Sequence, residues 1–163
     1  MQPWHRPLLP SALVLELTPE VRDEMLAHAV AGLPNEACGV FAATTGRDSG
    51  SGTVVRFFPL TNTAASSRIY EIDGAELARA ELAADEAGLL VVGVMHSHTH
   101  TTNYPSPTDI RDAANFDPLG TWHFIIVSLK HVEPSLRSYR ILDGQVTEEV
   151  VATSAIGTDD PKG

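Results

Sequence analysis

Leu89-Leu-Val-Val-Gly-Val-Met-His-Ser-His98-Thr-His-Thr-Thr-Asn-Tyr-Pro-Ser106-Pro-Thr-Asp109-Ile-Arg111 is the stretch on which the reading of this chain turns. It opens with an apolar run, Leu89 to Val94, of the kind that forms a buried strand. His96 and His98 follow two residues apart, so while the strand pitch lasts both imidazoles leave the same face. After a polar loop, Ser106-Pro-Thr-Asp109 reads as a helix start, with Ser106 at the N-cap, Pro107 in the first helical position and Asp109 in the first turn. Two imidazoles on a strand and a carboxylate on a helix start can converge across a short loop. Three such ligands with a fourth position open make a catalytic rather than a structural zinc site.

Outward from this centre the chain alternates strands and helices. Upstream, Leu13 to Leu17 alternates as a strand. Thr18-Pro-Glu20 starts a helix carrying an apolar stripe of Val21, Met25, Ala29 and Leu33, ended by Pro34 and Asn35. Glu36 to Ala43 and Thr53 to Phe58 read as strands around a glycine-rich loop, Thr44 to Gly52. A polar loop runs through Ser67, Ile69 to Ile72 is a short extended piece, and Asp73 caps an alanine-rich helix that Gly88 stops. Downstream of a short helix over Thr108 to Asn115, Trp122 to Leu129 is a buried strand. Leu136 to Leu142 and Gln145 to Val151 flank Asp143-Gly144, a hairpin signal. The pattern predicts an α/β domain, a mixed sheet with helices on its faces, over residues 13–152, with flexible arms at 1–12 and 153–163.

With 163 residues, 43% hydrophobic and 20% charged, the chain fits one soluble globular domain. Its net charge of −10 argues against a nucleic-acid partner, which would need a basic face. Nothing approaches a membrane-spanning run, and Pro10 and Glu16 interrupt the only region that could suggest a signal peptide. Cys38 is the sole cysteine, so no internal disulfide can form, and a reducing cytoplasm suits the chain.

The set His96-x-His98, seven residues, Ser106-x-x-Asp109 resembles the signature of the JAMM (MPN+) metallopeptidases, and Glu36 in Pro34-Asn-Glu-Ala-Cys-Gly39 fits that family's upstream glutamate. Glu36-Ala-Cys-Gly-Val40, His96-Ser-His-Thr99, Tyr104-Pro-Ser106 and Leu136-Arg-Ser-Tyr-Arg-Ile141 with Asp143-Gly144 are similar to the actinobacterial branch. Its members release cysteine from the C-terminus of a ubiquitin-like sulfur carrier protein. The resemblance implies the MPN (cytidine-deaminase-like) α/β/α fold, Zn2+ held by His96, His98 and Asp109, Glu36 as general base beside the metal's water, and Ser106 supporting the oxyanion. It further implies a carrier tail lying extended across the site, for which strand addition to an exposed sheet edge is a natural means. The loops Thr44 to Gly52 and Thr99 to Pro105 are candidate walls.

Other residues compete for these roles. Ser106-x-x-Asp109 is also close to a capping box, which alone would account for both side chains. Glu71 is a second carboxylate that could act as the base, without the helix-to-strand setting of Glu36. His100 reads as solvated or substrate-side, and Thr99 stands where many family members have proline. Cys38 reads as a small core residue, and His5, His28, His123 and His131 as structural or exposed. Trimming of other residues from a ubiquitin-like protein, deubiquitinase-like isopeptide cleavage, and a non-catalytic MPN-type scaffold are the alternatives. The oligomeric state is left open, a homodimer among the options.

Overall fold

The computed structural model describes residues 13–45 and 52–153, so the expected terminal arms, Trp4, His5 and most of the Thr44 to Gly52 loop lie outside the described residues. In chain order the elements are β1 (Val14–Leu17), α1 (Pro19–Ala31), β2 (Cys38–Thr44), β3 (Val54–Leu60), α2 (Gly74–Glu86), β4 (Leu89–His98), α3 (Pro107–Phe116), β5 (His123–Ser128), β6 (Ser135–Leu142) and β7 (Gln145–Thr153). The strands run β1-β3-β2-β4-β5-β6-β7 and close into a ring. β1–β7, β1–β3 and β4–β5 are parallel and the remaining pairs antiparallel, so the sheet is mixed, as expected.

Local chemistry sets each boundary. Thr18 caps α1 by accepting the Val21 N–H, and Asp73 caps α2 through the Glu76 N–H. Gly88 follows α2 at φ 72°, a conformation that costs glycine little. Asp143 and Gly144 both have positive φ, as a tight two-residue hairpin turn between β6 and β7 requires. One boundary departs from expectation. α1 ends at Ala31, and Leu33 lies half-exposed in the following turn instead of extending the buried stripe of Val21, Met25 and Ala29. Gly32 caps the helix by donating to the His28 carbonyl, and the Leu33 N–H donates to that of Val30, so the helix closes two residues, Gly32 and Leu33, short of Pro34.

Alternation along the central strands divides the interior into two cores. Met95, Ile125 and Val127 face α1 together with Leu15, Leu17 and Phe41. Val94, Ile126 and Val40 face α2 and α3, packing with Ala80 and Ala113. Burial of each such large apolar side chain contributes roughly 1.5–3 kcal/mol. Gly93 is where β4 and β5 approach most closely: a Cβ there would stand 2.2 Å from the His123 carbonyl oxygen. His123 itself is buried, its Nδ1 2.5 Å from Glu149 Oε1, which also accepts the Ser138 hydroxyl at 2.7 Å. It is a paired core residue, in keeping with a structural reading.

His96 pairs with Cys38 on one side and Ile126 on the other, so β4 offers no free edge at that residue, whereas β3 meets β1 only where Val54 pairs with Leu17. No helix among the described residues is long and apolar enough to cross a membrane.

Candidate metal centre

β4 continues as regular strand through both histidines, and each is flanked by a neighbouring strand. The period of two then aims both rings at the α2 and α3 face, where they are buried. Ser97, between them, points the other way and ties down the segment before β2. It accepts the Ala37 N–H on Oγ at 2.8 Å and donates its own N–H to the Ala37 carbonyl at 2.9 Å. Glu36 is thereby fixed one residue from a rigid joint, buried at the site.

α3 supplies the carboxylate. Ser106 Oγ accepts the Asp109 N–H at 3.1 Å while Asp109 Oδ2 accepts the Ser106 N–H at 2.9 Å, a complete capping box. The competing capping role is therefore real, and it does not exclude the other one. The same Oδ2 lies 3.2 Å from His96 Nε2 and 2.9 Å from His98 Nε2, and the two nitrogens are 3.1 Å apart. Capping orients Asp109 toward the imidazoles.

These three atoms fit a metal ion. His98 Nδ1 lies 2.7 Å from the Thr102 carbonyl, which can only accept, so Nδ1 carries the hydrogen and Nε2 offers a lone pair in the neutral ring. That lone pair faces a carboxylate oxygen, a contact that requires positive charge: a proton on the ring, or a cation among the three atoms. A tetrahedral site with bonds of about 2.0–2.1 Å spaces its ligands about 3.3 Å apart, close to the triangle observed. Glu36 also offers an oxygen within 4.8 Å of both imidazoles. The Asp109 triangle is the tighter of the two groupings, and Glu36 Oε1 is buried without a hydrogen-bond partner.

The electrostatics agree with this arrangement. Burial works to raise the pKa of Asp109, but the two imidazoles and the Ser106 N–H outweigh it and hold the carboxyl far below its ordinary range. His98 is pushed up: burial opposes its charge, and the bonds to Asp109 and the Thr102 carbonyl prevail. Glu36 is raised chiefly by burial; His96 and His98 pull the other way, and Asp109 adds a smaller push upward.

The stretch from Thr61 to Asp73, read from sequence as loop and extended piece, is the wall of the site. Asn62 Nδ2 donates to the carbonyls of Glu36 at 3.0 Å, Ile69 at 3.0 Å and Ser66 at 3.4 Å. The Glu36 N–H donates to the Ser66 carbonyl at 2.8 Å. Tyr70 stacks on His96, and Asn62, Tyr70 and Ser97 were not singled out by sequence reasoning. Glu71 lines a separate cleft with Asp73 and Asp112, away from the imidazoles. A cavity of about 350 Å³ opens over the site, with Glu36, His98 and Ser106 at its base and Ser67, Arg68, Thr99, His100 and Thr101 around it. His28, by contrast, sits on α1 with Nε2 2.9 Å from the Cys38 carbonyl, and Cys38 is fully buried.

Two imidazoles and a carboxylate that could hold a metal, facing an open cavity with a buried carboxylate beside them, would equip the molecule for hydrolysis, the chemistry of a metallohydrolase. The family model described as prokaryotic homologs of the JAB domain matches residues 18–142, and the chain belongs to that family. It is 39% identical over 139 residues to the CysO-cysteine peptidase of Mycobacterium tuberculosis, covering 85% of this chain and 90% of that protein. A Desulfitobacterium hafniense protein of known solution structure superposes with a TM-score of 0.77 at 34% identity, over 86% of this chain and 93% of the other. A JAB1/MPN domain protein from Archaeoglobus fulgidus shares the fold, with a TM-score of 0.53 at 16% identity, over 85% and 99% of the two chains.

Proposed function

We propose that this enzyme is a zinc-dependent hydrolase that cleaves the amide bond between the C-terminus of a ubiquitin-like sulfur carrier protein and cysteine, releasing free cysteine. The observation that carries the reading is the convergence of His96 Nε2, His98 Nε2 and Asp109 Oδ2 beside Glu36, whose Oε1 is buried without a hydrogen-bond partner. The substrate follows from the similarity to the CysO-cysteine peptidase, which spans 85% of this chain.

His96, His98 and Asp109 hold the metal, and two imidazoles with one carboxylate are a donor set that suits zinc. When bound, zinc supplies a Lewis acid that polarises the scissile carbonyl and lowers the pKa of water from about 15.7 to roughly 7. Glu36 takes the proton from the attacking water and returns it to the leaving amine, as general base and then general acid. Its buried setting holds its pKa above that of an ordinary carboxylate, which favours the second task. Ser106 Oγ already accepts the Asp109 N–H, so its own hydrogen is free to donate to the carbonyl oxygen as charge develops there. Water adds to the tail carbonyl, the C–N bond breaks, and the products are the carrier carboxylate and cysteine.

With β4 paired on both sides at His96, the carrier tail lies in the cavity between Ser67-Arg68 and Thr99 to Thr101. We place the reaction in the cytoplasm, where the single cysteine, Cys38, stays reduced. The test is intact mass of a sulfur carrier bearing a C-terminal cysteine, incubated with the protein with and without chelator. Loss of one cysteine, blocked by chelator, is the expected result. A carrier left intact by fully zinc-loaded protein would overturn the substrate.

A further inference from the structure

We infer that Arg68 receives the α-carboxylate of the residue being released, which makes the site selective for a terminal, α-linked residue over a lysine-linked conjugate. The inference rests on the hydrolase reading above and deepens it.

Arg68 is the only lysine or arginine among the described residues lining the cavity over Glu36, His98 and Ser106. Four of the six other arginines among the described residues have partners. Arg111 lies by Asp112, Arg137 by Glu148, Arg56 over the Phe58 ring, and Arg140 donates to the Gly120 carbonyl. The Arg68 guanidinium has no carboxylate partner among the described residues, although the chain carries 21 acidic side chains against 11 basic ones.

Its backbone is bolted to the catalytic elements on both sides. The Arg68 N–H donates to Ser66 Oγ at 3.0 Å, and the neighbouring Ser67 carbonyl accepts the hydroxyl of Thr99, the residue after His98, at 3.0 Å. The Ser66 carbonyl in turn accepts the Glu36 N–H at 2.8 Å. Arg68 is therefore carried on the rim at a fixed height above both Glu36 and the histidines, with only its side chain free to move.

The substrate's chemistry requires such a group. In a carrier–cysteine adduct the carboxylate carbon lies two bonds from the scissile nitrogen, so cleavage brings a negative charge next to Glu36 and Asp109. Zinc offsets the charges of Glu36 and Asp109 but leaves this further carboxylate without a cationic partner, and Arg68 is the one such side chain among the described lining residues. A guanidinium answers a carboxylate with two parallel N–H donors, which fixes the orientation of the leaving residue as well as its charge. A lysine side-chain isopeptide has no carboxylate at that distance and gains nothing from Arg68.

The experiment uses zinc-loaded protein carrying Glu36→Gln, so that peptides bind without being consumed. Peptides ending in Gly-Gly-Cys, with a free carboxylate or a carboxamide, are titrated calorimetrically. The carboxylate peptide is expected to bind about tenfold more tightly, the scale of a charge-assisted contact. Adding Arg68→Gln should erase the difference, and Arg68→Lys should keep part of it. Equal affinities of the two peptides, or a contrast that survives Arg68→Gln and is lost in His100→Gln, would overturn the inference. Turnover of the carrier adduct by the wild-type protein is scored separately. A contrast without turnover sinks the hydrolase reading and leaves the carboxylate receptor standing, whereas turnover without a contrast does the reverse.

Discussion

Tyr70 lies nearly flat on the imidazole of His96, with ring centroids 4.4 Å apart and planes inclined by 22°. The contact matters because the two histidines are held differently. His98 is oriented by the Thr102 carbonyl at its second nitrogen, whereas His96 Nδ1 is buried and has no hydrogen-bond partner. Packing against Tyr70, itself backed by Phe116, takes the place of that bond. Burial and the carboxylate of Asp109 push the phenol well above its ordinary pKa, so the ring meets His96 uncharged. Tyr70→Ala is expected to weaken zinc binding by about tenfold or more, the usual scale for losing a group that orients a ligand. Tyr70→Phe should bind like wild type. Competition with a chromogenic chelator measures both, and equal affinities for Tyr70→Ala and wild type would show that the stack does not orient the ligand.

Glu36→Gln separates the base from the ligands. It should retain zinc and lose about 10²–10⁴-fold in turnover, the range for one general acid–base group. The same variant makes a prediction about stability. Burial raises Glu36 above the ordinary 4.5, so the native state holds this proton more tightly than the unfolded chain does. Its contribution to stability is thus complete below pH 4.5 and is lost as pH rises through the native pKa. In chelator-treated protein, Glu36→Gln should melt above wild type at pH 7, with the gap closing near pH 4. A gap independent of pH would refute the assignment of a raised pKa.

Ser106 has two separable tasks. Ser106→Ala removes the α3 cap, at a cost of about 1 kcal/mol, and also the donor to the carbonyl oxygen, at about 10²–10³ in rate. Ser106→Gly should restore most of the stability, because glycine caps nearly as well, and none of the rate. If glycine recovers both, the hydroxyl acts only through the helix.

Cys38 should be chemically silent in the folded enzyme. It is fully buried, and burial, with Glu76 and Glu36 adding, pushes its thiol up to about 12. Iodoacetamide at pH 8.5 is expected to label the protein only after denaturant is added. The unfolded thiol ionises near 9.0 and the folded one does not, so this residue's share of stability falls as pH rises from about 9 toward about 12. Cys38→Ala should flatten that slope in urea titrations at alkaline pH. Rapid labelling of native protein would contradict the buried placement.

The convergence of His96, His98 and Asp109 was legible in the sequence because each placement depends on local structure. Two histidines at i and i+2 on a strand must share a face, and a Ser-Pro-x-Asp helix start must place its carboxylate at the first turn. What was not legible depends on contacts between distant segments. Nothing local marks Asn62 as the residue that holds the Glu36, Ser66 and Ile69 carbonyls together, or Tyr70 as the support of His96. Glu71 could compete with Glu36 on sequence because both are acids near candidate site elements, and only the fold shows that Glu71 lines a different cleft. The closure of the sheet was equally hidden. An alternating strand shows which of its faces is buried but not which strands lie beside it, so the two-sided pairing of β4 at His96 could not be read from the chain.

The parallel pairing of β1 with β7, from Val14 beside Val150 to Leu17 beside Thr153, has a bearing on how the protein is made. β1 leaves the ribosome well before β7 and must wait for it to acquire its principal partner, since it meets β3 only where Leu17 pairs with Val54. During synthesis Leu15 and Leu17, fully buried in the finished molecule, remain uncovered on that side. Closure is then a late, long-range event, of the kind that slows folding and prolongs exposure of apolar surface. Nascent chains stalled before β7 should consequently be protease-sensitive at β1 even where the metal-site elements β2, β4 and α3 have already emerged.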